Sequence, residues 1–221
     1  MAERGRGGRA GPRGLSREAM VQGAIALMEE SGDEGFSLRK LAQRLACDPM
    51  ALIYHFGSKE GLERAMADAL NAELAPAAAS LPWRTRLADL ASQYRRVAVR
   101  YPRTFPLLQR FWVTGPADYV HAETIYAAFA EAGFTGADLV DACFGWYAAI
   151  LGLAAAEAGG LLRPAGPAEL AEVEALPAEA FPLTKQLLPA FRAQEAGRAY
   201  ALAVESLIDG LARRAGGRGA G

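Results

Sequence analysis

Apolar residues recur every three or four positions along most of this chain, which is the periodicity of amphipathic helices. Met20, Ala24, Leu27 and Met28 form one such stripe. No segment shows the apolar–polar alternation of a half-buried strand. Together with the Ser, Pro and Gly signals for helix ends, this spacing predicts helices over residues 16–32, 37–45, 49–56, 58–70, 83–101, 102–113, 116–132, 135–157 and 193–214, and a short helix around 167–174. We therefore expect an all-α protein with an otherwise irregular segment over 159–189.

Residues 37–56 predict two short helices separated by a break at 46–48. A break of three or four residues is the spacing of a helix-turn-helix, whose second helix can lie in the major groove of DNA. Leu52 and Phe56 are the apolar stripe of this second helix. Its remaining surface consists of Pro49, Met50, Ala51, Ile53, Tyr54 and His55. Helical proteins contain many such pairs, so the spacing alone fits both a DNA-binding unit and an ordinary helix pair.

Composition and charge describe a globular chain with one basic end. Hydrophobic residues make up 52% of the 221 residues, charged residues 22%, and the net charge is −1. Residues 1–17 nevertheless carry five Arg against one Glu. We expect residues 1–14 to be a disordered Arg/Gly-rich tail, either solvated or following the DNA minor groove as basic arms can. Residues 216–221 are expected to form a second disordered tail.

Several classes of function lack their sequence signatures. Two Cys and two His, widely scattered, exclude a zinc finger or a disulfide framework. Paired acidic motifs, a His-x-x-x-His pair, a Gly-rich phosphate loop and a nucleophile elbow are missing. We expect no enzyme, no cofactor and no metal. Two alternatives stay open, a helical enzyme and a helical adaptor that does not bind DNA.

The membrane and secretion signals are also weak. The longest uncharged apolar stretch, residues 142–156, is shorter than the ~20 residues of a membrane span, which favours a core or interface helix. The chain start has no apolar signal-peptide core. We expect a cytoplasmic protein with no membrane partner.

A run of specific residues extends the helix-turn-helix hypothesis. It comprises Phe36-Ser37-Leu38-Arg39-Lys40-Leu41-Ala42-Gln43-Arg44-Leu45, Pro49-Met50-Ala51-Leu52, Tyr54-His55-Phe56 and Ser58-Lys59-Glu60-Gly61-Leu62. With this run, residues 16–70 closely resemble the DNA-binding domain of TetR-family transcriptional regulators. The resemblance implies a three-helix helix-turn-helix domain at 15–62. A helical ligand-binding and dimerisation bundle would follow at 63–215.

The resemblance also implies the residues that contact double-stranded DNA. Arg39 would reach a base or a phosphate, Tyr54 would donate its hydroxyl to a phosphate, and Lys59 would pair with a phosphate. Met50 and Ala51 would face base edges in the major groove. The full set expected at the DNA is Ser37, Arg39, Pro49, Met50, Ala51, Ile53, Tyr54, His55 and Lys59.

Four positions in or beside this set are expected to behave differently from simple DNA contacts. Ile53 stands where the family usually has a Tyr, which replaces a polar contact by apolar contact to a thymine methyl. Asp48 would repel phosphate or accept a hydrogen bond from cytosine. His55 is expected to brace the helix junction more than to touch DNA, and the N-cap region of Ser37 to offer backbone N–H groups to phosphate.

Aromatic residues concentrate in residues 83–190, where they either fill the bundle or line a small-molecule cavity. The expected effector is a small hydrophobic or aromatic compound. Three residues are proposed as polar anchors, namely Gln109, His121 and Asp141. The expected apolar lining consists of Phe105, Leu108, Phe111, Trp112, Tyr126, Phe144 and Tyr147.

A homodimer is expected through the helices at 135–157 and 193–214, packed as a four-helix bundle. The segment Ser206-Leu207-Ile208-Asp209-Gly210-Leu211 resembles the closing dimer helix of the family. Small residues would allow close approach of the helices, namely Ala148, Gly152, Ala155 and Ala201. A dimer predicts a palindromic operator. The implied function is a repressor that a ligand releases from DNA.

Overall fold

A computed structural model describes residues 15–216, and this part of the chain is built from α-helices, one 3-10 helix and their connections. The expected all-α class is confirmed. The two predicted tails, residues 1–14 and nearly all of 216–221, lie outside the described residues. The α-helices are α1 (Arg17–Gly35), α2 (Leu38–Arg44), α3 (Pro49–Phe56), α4 (Lys59–Asn71), α5 (Trp83–Arg100), α6 (Pro116–Glu131), α7 (Gly136–Ala158), α8 (Pro167–Ala175), α9 (Pro182–Gln186), α10 (Leu188–Arg192) and α11 (Arg198–Gly216).

Serine N-caps begin three of the first four helices, as the sequence predicted. The hydroxyl oxygen of Ser16 accepts a hydrogen bond from the N–H of Ala19 at 3.1 Å. Ser37 does the same for Lys40 at 3.3 Å, and Ser58 for Gly61 at 3.0 Å. Each bond satisfies one backbone donor that the first helical turn leaves without a partner. The entry into these three helices of the N-terminal half is therefore fixed locally.

Three segments differ from the predicted helices. The segment predicted as a helix at 102–113 contains a 3-10 helix over Phe105–Gln109. The irregular stretch at 159–189 contains α9 and the start of α10 beside the expected α8. The last helix begins five residues later than predicted, after a turn closed by the Arg198 N–H on the Glu195 carbonyl. Short helices of one turn carry too few apolar positions to show a period in sequence.

One hydrophobic core runs through both halves of the chain, from Met20 in α1 to Ile208 in α11. In the C-terminal half, α5, α6 and α7 pack on one another and α11 packs on α5 and α7. In the N-terminal half, α1 packs on α2 and α4, and α3 packs on α2 and α4. Because α4 also packs on the 3-10 helix and α6, it joins the two halves. The domain boundary proposed at residue 62 lies inside this helix.

Gly61 allows α4 to start directly against the end of α3. A Cβ atom at this position would lie 2.0 Å from the carbonyl oxygen of Phe56, which is far inside van der Waals contact. The glycine therefore fixes how closely the helix that joins the two halves approaches α3.

The long apolar helix α7 packs one side into the core of the C-terminal half. Among the described residues it alone is long and apolar enough to cross a membrane by length and composition. It is longer than the uncharged stretch at 142–156 because it continues through Asp138, Asp141 and Glu157. Core helices of globular proteins share this property, and α7 packs against α5, α6 and α11.

Shortening Leu62 should destabilise the fold strongly. Leu62 is fully buried in α4, which packs on α1 and α3 of the N-terminal half. We expect Leu62→Ala to lower the free energy of unfolding by about 2–5 kcal/mol, because a cavity remains where the side chain was. The matched control is Leu183→Ala, whose side chain is 63% exposed, with an expected change within about 0.5 kcal/mol. Equal effects of the two substitutions in urea unfolding would contradict the packing described for Leu62.

Candidate DNA-binding face and ligand cavity

One face of α3 is free of the core and open to solvent. Met50 is 66% exposed and Tyr54 86% exposed, while Leu52 between them is buried against the core. Met50 and Tyr54 are four residues apart and so lie on the same side of the helix. Pro49 and His55 are also exposed, completing an exposed face at both ends of α3. The exposure of Tyr54 leaves its hydroxyl free to reach a phosphate, as the resemblance implied.

The other predicted DNA-contacting residues of α3 lie at the edge of this face. Ala51 and Ile53 are half-buried. The ring of His55 meets Tyr54 edge-on at a centroid distance of 5.4 Å and lies 6.4 Å from the ring of Phe56. His55 is thus placed both at the exposed face and at the junction that it was expected to brace.

The two cations predicted for phosphate contact differ in their surroundings. Arg39, near the start of α2, is exposed and has no hydrogen bond or ion pair within the described residues. The ammonium of Lys59 instead lies 3.2 Å from a carboxylate oxygen of Glu63 and 3.9 Å from one of Asp33. Arg39 is therefore the cation available to an incoming phosphate, and Lys59 would have to exchange partners first.

Asp48 has a role that the sequence analysis missed. Its carboxylate accepts a hydrogen bond from the N–H of Met50 at 2.8 Å and so caps α3. The signal was present, because Asp is a preferred N-cap and Pro49 follows at the first helical position. The negative carboxylate lies at the start of the helix, where the positive end of the helix dipole stabilises it.

A cavity of about 110 Å³ lies among α5, α6, α7 and the segment before α6. Trp112 closes one side, 78% exposed and stacked on Phe144 at 6.0 Å between ring centroids. Mostly apolar and aromatic walls of this kind are typical of small-molecule sites. The lining residues are Tyr94, Trp112, Val113, Asp118, Tyr119, His121, Ala122, Ile125, Tyr126, Cys143, Phe144 and Tyr147.

Five of the predicted ligand residues line this cavity, namely Trp112, His121, Tyr126, Phe144 and Tyr147. Three more, Leu108, Gln109 and Phe111, line an adjoining groove of about 520 Å³ that shares Trp112, Phe144 and Tyr147 with the cavity.

Phe105 and Asp141 lie elsewhere. Phe105 begins the 3-10 helix, and its side chain is fully buried in the core and lines neither space. Asp141 is exposed on α7 and also lines neither.

Buried polar groups gather at one end of the cavity. His121 is 2% exposed, and its Nε2 lies 2.8 Å from the backbone carbonyl oxygen of Asn71. Its Nδ1 has no hydrogen-bond partner. The Tyr147 hydroxyl lies near Tyr94, Asn71 and Asp118 but forms no well-aligned hydrogen bond with them. These groups are what a polar ligand atom would meet.

Burial raises the pKa values of the titratable groups around this end of the cavity. Desolvation raises the pKa of the Asp118 carboxyl, although the Thr114 N–H, donated at 2.9 Å, acts in the opposite direction. Desolvation also raises the pKa of the Tyr94 and Tyr147 hydroxyls, and it raises the pKa of the Cys143 thiol to about 11. Tyr94, Asp118 and Cys143 were missed as lining residues because they lie on three helices that sequence spacing cannot align.

The polar end of the cavity is bonded directly to α4. Asn71 at the end of α4 donates its side-chain amide to the hydroxyl of Thr114 at 3.0 Å. Arg64 donates to the Thr114 carbonyl at 3.0 Å. The Asp68 carboxylate accepts the N–H of Ala117 at 3.1 Å. The segment that leads into α6 is therefore held by the same helix that carries Lys59 at its other end.

A second set of ion pairs joins the halves beside the groove. Arg110, which follows the 3-10 helix, pairs with Asp33 at the end of α1 and lies 3.5 Å from Glu63 in α4. Glu63 is also the partner of Lys59. One carboxylate thus contacts a cation from each half of the chain.

Comparisons with known proteins agree with this two-part architecture. Residues 21–66 match the family described as "Bacterial regulatory proteins, tetR family", and residues 75–215 match "Tetracyclin repressor-like, C-terminal domain". An "HTH-type transcriptional regulator" of Saccharopolyspora erythraea is 30% identical over 129 residues, which cover 58% of this chain and 55% of that relative. The match to this relative therefore spans about half of its length.

Two further similar proteins match along most of the chain. The "Tetracycline repressor protein class A from transposon 1721" of Escherichia coli is 28% identical over 208 residues, covering 90% of this chain and 92% of that protein. The Streptomyces coelicolor TetR family protein ActR, solved in complex with actinorhodin, shares the fold with a TM-score of 0.79. It is 20% identical and covers 92% of this chain and 100% of its own.

The two cysteines should differ sharply in reactivity. With a pKa of about 11, only about one Cys143 thiol in a thousand is ionised at pH 8, and the thiolate is the reactive form. We expect a disulfide reagent to label the half-buried Cys47 first and Cys143 far more slowly. The rate at Cys143 should rise with pH up to about 11. Equal labelling rates for wild type and for Cys47→Ser, which retains Cys143 alone, would contradict this burial.

Proposed function

The chain belongs to the TetR family of bacterial transcriptional regulators, and we propose that it is a ligand-responsive repressor. As a homodimer it would bind a palindromic operator in double-stranded DNA, and a small hydrophobic or aromatic effector would release it. The observation that carries this proposal is the exposed face of α3, where Met50 and Tyr54 stand out from a helix anchored by Leu52. Regulators of this family are generally not enzymes.

The proposed DNA contacts follow from exposure and charge. The α3 face would enter the major groove with Met50 and Ala51 against base edges and Tyr54 near a phosphate. Arg39, exposed and unpaired within the described residues, would add a phosphate or base contact from α2. Phosphate contacts fix the register of a protein on the duplex, while base contacts read its sequence.

The proposed release uses the connection from the cavity to α4. An effector entering beside Trp112 would shift the segment that Arg110 and Thr114 anchor to α1 and α4. Because α4 starts directly after α3, a shift of α4 would move the exposed face of α3. The effector can change the population of the DNA-binding state only by its difference in affinity for the two states.

The proposed dimer uses the exposed faces of α7 and α11. Leu202 on α11 is 63% exposed, and Val140 on α7 is 45% exposed. A Cβ atom at Gly152 of α7 or at Gly210 of α11 would meet no heavy atom within 4 Å, so both faces are open at these glycines. Exposed apolar residues beside small ones support close helix packing with a second copy.

Selection of bound duplexes from a random DNA pool tests the proposed repressor. We expect the wild type to enrich one palindrome with half-sites about one helical turn, or a multiple of it, apart. Arg39→Ala should weaken binding to that palindrome by about tenfold. The matched control is Arg96→Ala, an exposed arginine on α5, which should bind as the wild type does.

Two results of this selection would overturn the proposal. One is the absence of enrichment both for the protein alone and with cell extract as a source of effector. The other is equal loss of affinity in Arg39→Ala and Arg96→Ala, which would place the DNA outside the helix-turn-helix.

A charged side chain at Gly152 should separate the proposed dimer. The isolated chain has room for it, and replacing glycine inside a helix favours folding by up to about 1 kcal/mol. We expect Gly152→Glu to be monomeric by light scattering at micromolar concentration, with wild-type helicity. Ala127→Glu, at an exposed position of α6, is the control and should remain dimeric. A monomeric wild type, or a dimeric Gly152→Glu, would contradict the proposed interface.

A further inference from the structure

The ligand cavity carries negative charge and no basic side chain. Of its lining residues, Asp118 alone is formally charged near neutral pH when His121 is neutral. The Asp68 carboxylate lies close enough to raise the pKa of Asp118 further. The nearby cation on α4, Arg64, is directed to the Thr114 carbonyl at 3.0 Å. Asp118 therefore forms no salt bridge with a Lys or Arg among the described residues, and the neighbouring His121 alone acts as a positive group that lowers the pKa of its carboxyl.

His121 adds a second acceptor to this end. Its Nε2 lies 2.8 Å from a carbonyl oxygen, which can only accept, so Nε2 must carry the hydrogen. In the neutral ring Nδ1 then presents a bare lone pair, and this atom is buried without a partner. Leaving a buried acceptor unsatisfied is unfavourable, so a ligand that donates a hydrogen bond here would be stabilised.

The aromatic wall of the cavity is suited to a positively charged ligand. Six aromatic rings line the cavity, contributed by Tyr94, Trp112, Tyr119, Tyr126, Phe144 and Tyr147. The face of an aromatic ring attracts a cation through its quadrupole, most strongly where water is excluded. An anionic ligand would meet these faces and the Asp118 carboxylate with no compensating cation.

We propose, building on the repressor function above, that the effector is a lipophilic aromatic cation whose protonated nitrogen lies at the Asp118–His121 end of the cavity. Its ring system packs against Trp112, Phe144 and Tyr126. Its N–H group donates to the Asp118 carboxylate or to Nδ1 of His121. This arrangement offsets the desolvation of the buried carboxylate and satisfies a ring nitrogen that the fold leaves without a partner.

Three compounds with one ring system test the charge requirement. At neutral pH 9-aminoacridine is a cation, acridine is uncharged and acridine-9-carboxylate is an anion. Binding of each to the DNA-free, full-length protein is measured by fluorescence titration at a fixed moderate salt concentration. We expect the cation to bind at least about tenfold more tightly than acridine, and the anion to bind least.

Asp118→Asn identifies the carboxylate that sets this preference. The amide oxygen of Asn can still accept the Thr114 N–H, so the local fold is retained. We expect the variant to lose the preference for the cation while its affinity for acridine stays within about twofold. The matched control is Asp141→Asn, an exposed carboxylate on α7 outside the cavity, which should keep the wild-type preference.

Each outcome decides the proposal. Equal or tighter binding of acridine or its carboxylate overturns it, as does failure of all three compounds to bind. Retention of the cation preference in Asp118→Asn overturns it as well. The repressor function is tested separately by operator selection without any ligand, so a protein that binds the cation but selects no operator refutes the repressor and leaves the ligand class standing.

Discussion

The buried residue Asn71 ties the end of α4 to three parts of the C-terminal half at once. It is fully buried at the end of α4, where its amide group donates to Thr114 and its amide oxygen accepts from the Tyr94 hydroxyl at 3.3 Å. Its backbone carbonyl accepts from His121. Buried polar groups must find partners, and here those partners lie on α5, α6 and the segment before it. The angle of α4 is thus tied to the polar end of the cavity.

The continuous hydrophobic core couples movement of α4 to movement of the helices around it. Because apolar packing runs without interruption from α1 to α11, α4 cannot move without its neighbours. Close-packed interiors shift between discrete arrangements more readily than they deform gradually. Gly61 brings the start of α4 directly against the end of α3. A movement of α4 is therefore passed to α3 with little room for independent motion.

Local signals in the sequence predicted the DNA-binding half well. Ser16, Ser37 and Ser58 cap the helices they were expected to cap, because an N-cap depends on a few adjacent residues. The cavity was predicted only in part. Tyr94 and Asp118 lie on separate helices. How these helices are rotated relative to each other depends on long-range packing, which the periodicity of a sequence does not specify. Phe105 lies in the core instead of the cavity wall, and the sequence could not distinguish the two because an aromatic residue suits either place.

The pairing of Lys59 with Glu63 changes how salt would act on operator binding. A lysine that reaches DNA from water displaces condensed counterions from the phosphates, and each displaced ion steepens the dependence of affinity on salt. Lys59 already has a carboxylate partner 3.2 Å away, and Arg110 shares that partner. In the proposed DNA complex Lys59 would turn to a phosphate, and Glu63 would keep Arg110 as its counter-charge. The lysine would thus exchange one anion for another, which makes its DNA contact less costly in desolvation than that of a solvated cation.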